Sequence, residues 1–265
     1  MKKKVIHLGF MCFVTWTAAL YLVGCHGMKA RRQEAESHYE YGILYLQNSK
    51  YHLAHREFQK AGELNPKDYR LYNGLGLAYY FQGKFSLSIK EYEKSIKLNP
   101  KYPDAYNNMA SAFAKLKQWP KVIHYTDKAL SILSYTTPEF AYYNKGVAYY
   151  HLGEYEKAQT ELEISLELEE NYIDPHYQLG LTKLKLQLYS GASEEFQKVI
   201  QLLPMARDKQ GDPLLVDSRY HLAISYYYSN QKNLAAKEFQ KVIELAPESD
   251  RAQEARQYLS KIEVK

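Results

Sequence analysis

Cysteine is nearly missing from this chain: Cys12 and Cys25 are the only two among 265 residues. Cys12 lies in an N-terminal stretch that reads as removable, so the remaining chain has a single thiol and no internal disulfide. Catalytic patterns are also missing. No glycine-rich phosphate loop follows a strand pattern, and no His-Glu-x-x-His occurs, which argues against nucleotide and zinc-hydrolase chemistry. His52 and His55 lie three apart, but no cysteine or other clear ligand joins them. They are assigned to a solvated outer face, and neither a metal nor a cofactor is expected. Charge of one sign is scarce. The whole chain has 35 basic and 30 acidic residues. Loss of the first 24 residues takes three lysines and no acid, an excess too small to suggest nucleic acid.

The one long apolar run is N-terminal. Lys2, Lys3 and Lys4 precede an apolar stretch from Leu8 to Val23 that ends in Leu22-Val23-Gly24-Cys25. The run is about 16 residues, short of the ~20 needed for a spanning helix. A basic start, an apolar centre and a small-residue end make a secretory leader, and the last four residues resemble a bacterial lipobox. That resemblance implies acylation of Cys25 as the first mature residue, with residues 1–24 as leader and 25–34 as a polar linker. Acyl chains contribute about 0.8 kcal/mol per buried methylene, enough to hold a protein on a bilayer without a spanning helix. Lys29, Arg31 and Arg32 follow the anchor as part of that solvated tether.

What the chain has is a repeat. Small residues recur at Gly42, Gly76, Ala110, Gly146, Gly180 and Ala223. The first recurs after 34 residues, the tetratricopeptide period. Around each lie aromatic and small residues at matching offsets, such as Tyr45, Ala54, Phe58 and Ala61 in the first copy and Tyr226, Ala236 and Phe239 in the last. Asn65-Pro66 and Asn99-Pro100 punctuate the copies as turns. The predicted fold is all-α: a tetratricopeptide-repeat superhelix, or α-solenoid, of six helix pairs over 35–68, 69–102, 103–136, 139–172, 173–206 and 216–249. Residues 250–265 form a capping helix, with Ala252, Ala255, Leu259 and Ile262 as its apolar stripe. Second helices are expected from Tyr51, Phe85, Trp119, Tyr155, Tyr189 and Asn233. Residues 207–215 are read as a looped insertion. His38, His176 and Arg219 read as packing residues, and the acids from Glu161 to Glu170 as an exposed helix face.

In tetratricopeptide proteins the first helices line the concave side, and the matching positions here are apolar and rich in tyrosine. They are Tyr39, Ile43 and Leu46 in the first repeat, Asn73, Leu77 and Tyr80 in the second, and Asn107 in the third. The fourth gives Phe140, Tyr143, Val147 and Tyr150, the fifth Tyr177 and Leu181, and the sixth Tyr220, Ile224 and Tyr227. Contiguous apolar surface marks an interaction site. The aromatic side chains suit a helix or an extended peptide, and Asn73 and Asn107 are assigned to its backbone. The alternative is that these residues bury one another. Tyr39 and Ile43 stand where chaperone-tail-binding relatives carry a charged clamp, so a C-terminal carboxylate ligand is disfavoured. The expected partner is a protein, and the chain reads as a binding scaffold with no catalytic residue.

An acylated N-terminal cysteine, a short linker and six such repeats together resemble the pilotin family of type IV pilus assembly, as does the insertion bearing Tyr135 and Pro138. That resemblance implies an outer-membrane lipoprotein that helps a secretin subunit reach the membrane and assemble. His26 after the acylated Cys25, in place of an Asp, agrees with outer-membrane sorting. A general periplasmic adaptor that scaffolds cell-wall enzymes or other envelope complexes remains the alternative.

Overall fold

The computed structural model describes residues 28–203 and 211–263. The leader, Cys25 and residues 207–210 of the 207–215 insertion lie outside these residues. The described chain is entirely helical and divides into two compact units, one ending at Ala112 and one beginning at Phe113. The first holds α1 (28–47), α2 (Tyr51–Leu64), α3 (Tyr69–Phe81) and α4 (Phe85–Leu98), and α5 (Pro103–Lys115) runs through its end. The second holds α6 (Trp119–Leu130), α7 (Pro138–Leu152), α8 (Tyr155–Leu168), α9 (Ile173–Lys185), α10 (Tyr189–Leu202), α11 (Pro213–Tyr228), α12 (Lys232–Leu245) and α13 (Asp250–Glu263).

Each pair is joined by the same tight turn. With Ala35, Tyr69, Pro103, Glu139, Ile173 and Val216 as position 1, position 15 is left-handed every time: Ser49, Gly83, Lys117, Gly153, Gln187 and Asn230. The next residue's N–H bonds back to the carbonyl of position 11, as in Lys84 to Tyr79 and Leu188 to Lys183, closing the first helix with a six-to-one bond. Only two of the six are glycine, although the left-handed region disfavours a Cβ.

Close approach within a pair explains the small residue at position 8. A Cβ added at Gly42 would lie 2.5 Å from the Phe58 ring, and one at Gly180 would lie 2.7 Å from Phe196. Phe58 and Phe196 are fully buried, and burying such a ring is worth about 1.5–3 kcal/mol. In the sixth repeat the small residue from the second helix is Ala235, wholly buried, while the expected Ala236 is half-buried.

Polar side chains repeat as regularly. Position 4 of one helix meets a glutamate at position 23 of its partner: His38 with Glu57 at 2.6 Å, His176 with Glu195 at 2.7 Å, and Arg219 with Glu238 at 2.9 Å. These residues are therefore hydrogen-bonding staples as well as packing groups. Burial pushes the Glu195 carboxyl up, but hydrogen bonds from His176 and Lys183 outweigh it and hold the carboxyl below its ordinary value. Glu161 occupies the same position, and its side chain is only 14% exposed because Lys145 clamps it at 3.0 Å and Asp127 at 2.9 Å. It does not belong to the exposed acidic face, which begins at Glu167. His55 also departs from expectation: its Nε2 sits 2.8 Å from the Tyr79 hydroxyl, against the next helix.

Two boundaries differ. The expected linker over 25–34 is helical from residue 28. Residues 28–34 contain good helix formers and no glycine or proline, and Arg31 bonds the Glu63 carbonyl at the end of α2 (2.8 Å). The insertion is shorter than expected too, because α11 starts at Pro213. Asp212 caps it by accepting from the N–H groups of Leu214 and Leu215, and Pro213 fills the first turn, where no N–H is needed.

Candidate partner-binding face

In the first unit the expected groove residues lean on the core. Tyr39, Ile43 and Leu46 of α1 pack half-buried against Ala54, Phe58, Leu75 and Ala78. Leu77 is half-buried, and Tyr80 meets Phe81 and Phe85 edge-on at 5.4 and 5.5 Å. Arg70 lies over the Tyr39 ring at 4.7 Å and is held by Glu36 and Asp68, each at 2.6 Å. Asn73 differs from the role expected of it. It is 7% exposed and engaged within the fold, accepting from Asn108 at 3.0 Å and donating to the Tyr102 hydroxyl at 3.4 Å. Asn107 is equally buried and has partners of its own. Neither amide is left over for a guest's backbone.

In the second unit Phe140 is 42% exposed and meets Tyr172 edge-on at 5.3 Å, and Tyr143 tilts onto the same ring at 5.4 Å. Val147 is half-buried, and Tyr150 meets Tyr155 at 5.6 Å. Tyr177, Leu181, Ile224 and Tyr227 pack partly buried on the C-terminal core of Phe196, Leu222 and Phe239. Tyr220 is 7% exposed, beneath the Arg251 guanidinium at 4.5 Å.

Among these side chains is a cavity of about 450 Å³. Tyr150, Leu181, Tyr220 and Ile224 line it, together with residues the sequence reading missed: Lys185, Tyr189, His221, Tyr228, Arg251, Glu254 and Tyr258. Three of these come from α13, which had been assigned to capping alone. The missed signal is the period itself. Thirty-four residues after Val216 comes Asp250, so Arg251, Glu254 and Tyr258 occupy positions 2, 5 and 9 of a seventh first helix. Arg251 bridges Asp217 at 2.7 Å and Glu254 at 3.0 Å. With Tyr220 it repeats the Glu36–Arg70–Tyr39 arrangement of the first unit.

The cavity wall is partly exposed and mixes neutral aromatic side chains with the charges of Lys185, Arg251 and Glu254. Burial, then the Arg251 charge, pushes the His221 imidazole down to about 4, so it is neutral at pH 7. Tyr177 is not part of the lining; burial on the core pushes its hydroxyl up to about 12. Among the described residues no group of three His, Cys, Asp or Glu side chains is arranged for a metal, and no helix is long and apolar enough to cross a membrane. The arrangement offers recognition: aromatic faces, aliphatic side chains and a few hydrogen-bonding tips.

Comparison with known proteins agrees with the geometry. Residues 78–117 match a TPR repeat model, and residues 139–172 and 217–249 each match a tetratricopeptide repeat model. These helix pairs are tetratricopeptide repeats. No curated protein matches the chain. Among solved structures the chain is similar to pilF of Pseudomonas aeruginosa, with a TM-score of 0.75 at 18% identity over 86% of this chain and 98% of that one. It is also similar to PilW, described as a widely conserved type IV pilus biogenesis factor, with a TM-score of 0.73 at 18% identity over 83% and 96%. YrrB, described as a TPR protein with an unusual peptide-binding site, aligns with a TM-score of 0.59 at 20% identity over 76% and 97%. At these identities the likeness is one of fold.

Proposed function

We propose that this protein is an envelope lipoprotein, acylated at Cys25, that binds a protein partner through its first-helix face and acts as a pilotin for a type IV pilus secretin. The observation that carries the reading is the open, tyrosine-walled cavity on that face in the second unit. The likeness in fold to PilW, described as a type IV pilus biogenesis factor, supports the choice of partner. The Leu22-Val23-Gly24-Cys25 sequence supports the anchor.

The test is secretin ring formation in cells that carry Tyr189→Glu and Tyr228→Glu together, two residues of the cavity lining. A charge at each site should repel an apolar guest and abolish rings, while helical circular dichroism and membrane level stay those of the wild type. Normal rings in that double variant would remove the face from the mechanism.

A further inference from the structure

The cavity of the second unit has a chemical signature that narrows the guest, given that the face binds a protein. Its size, about 450 Å³, is enough for a bulky side chain with its neighbouring backbone. Leu181, Leu184 and Ile224 supply aliphatic wall, and tyrosine rings supply much of the rest. Tyr189 and Tyr228 stack at 5.3 Å along one side. Rigid tyrosine surfaces of this kind suit an apolar anchor at small entropic cost.

The polar groups divide into those already used and those free. Arg251 is paired with both Asp217 at 2.7 Å and Glu254 at 3.0 Å, so its charge is already more than balanced. His221 is held by rings, stacked on Phe196 at 5.5 Å and edge-on to Tyr220 at 5.3 Å. Its nitrogens make no hydrogen bond among the described residues, so a neutral imidazole faces the cavity with one donor and one acceptor to offer. Lys185, at the end of α9, is exposed and has no ion pair among the described residues. It is the one charge of the lining without a counter-charge.

We propose that this cavity is an anchor site for a partner segment that inserts a bulky apolar side chain and sets an acidic residue, adjacent in its sequence, against Lys185. His221 meets the backbone amide beside the anchor. The capping helix is thereby part of the binding machinery through Arg251 and Tyr258, which shape the far wall. The proposal rests on the protein-binding reading of this face and adds the chemistry of the guest.

Fluorescence anisotropy with the full chain, purified from membranes in detergent, tests it. The probes are three fluorescein-labelled peptides of equal length, each with a central Phe followed by Glu, Gln or Lys. The Glu peptide should bind about tenfold more tightly than the Lys peptide, the scale of one well-placed charge pair. Lys185→Glu should reverse that order. Ile224→Trp, which fills the cavity, should weaken all three, with folding checked by circular dichroism. Equal binding of the three peptides, an order unchanged in Lys185→Glu, or no binding of any of them overturns the proposal. If the secretin is still captured from envelopes after such a result, the anchor chemistry fails alone. Loss of capture as well would remove the protein-binding reading with it.

Discussion

Residue by residue, the fold depends on polar side chains placed once per repeat, and His221, outside that series, gives a direct pH test. The unfolded chain binds a proton at His221 near pH 6.5, whereas the folded chain takes it only near 4. Between those values the unfolded state holds more protons, so acidification lowers stability. At 1.36 kcal/mol per unit the loss reaches at most about 3 kcal/mol. Urea unfolding of His221→Gln, measured in steps from pH 6.5 to pH 4, should show a shallower fall than the wild type. Equal slopes would contradict a buried neutral imidazole. The sequence exposed such residues unevenly. The tyrosines of the face were legible because they recur at fixed offsets. The glutamates at position 23 recur as faithfully, in Glu57, Glu91, Glu161, Glu195 and Glu238. Their partners vary among His, Lys and Arg, so no single pair stands out before the helices are placed together. Asn73 was misread for a similar reason. Its position was right for the face, but Asn108 and Tyr102, which engage it, belong to the next repeat and the turn before it.

At the scale of helices, the repeats were legible where glycine and bulky residues mark close approach. The second helices begin at Tyr51, Phe85, Trp119, Tyr155 and Tyr189 because an aromatic follows each tight turn. The ends were harder to read. Nothing in Met28 to Glu34 breaks a helix, and reading it as linker came from its charge rather than its propensity. The turns hid for the opposite reason: Lys117 and Gln187 adopt a backbone that composition does not advertise. Helix approach itself predicts two opposite mutational effects. Gly180→Ala places a Cβ 2.7 Å from Phe196 and should destabilise by about 1–3 kcal/mol. Gly62→Ala, inside α2, meets nothing within 4 Å and should stabilise by about 0.5–1 kcal/mol. Thermal melts of the two variants that shift in the same direction would contradict this account of the position 8 glycines.

For the molecule as a whole, the central proposal is that paired helices, tethered by the lipid proposed at Cys25, hold another polypeptide. The fold class was readable from a 34-residue period because packing two helices closely requires the same small and large residues every time. The partner was not readable, because the repeat motif does not specify the residues of the face proposed to bind it. The most direct measurement is site-specific photocrosslinking in intact envelopes, with a photoreactive phenylalanine at Leu181 in the cavity wall and, as control, at exposed Lys237 on α12. The account predicts an adduct with a secretin subunit from Leu181 and none from Lys237. Adducts of equal yield from both positions, or no polypeptide adduct from Leu181, would contradict it.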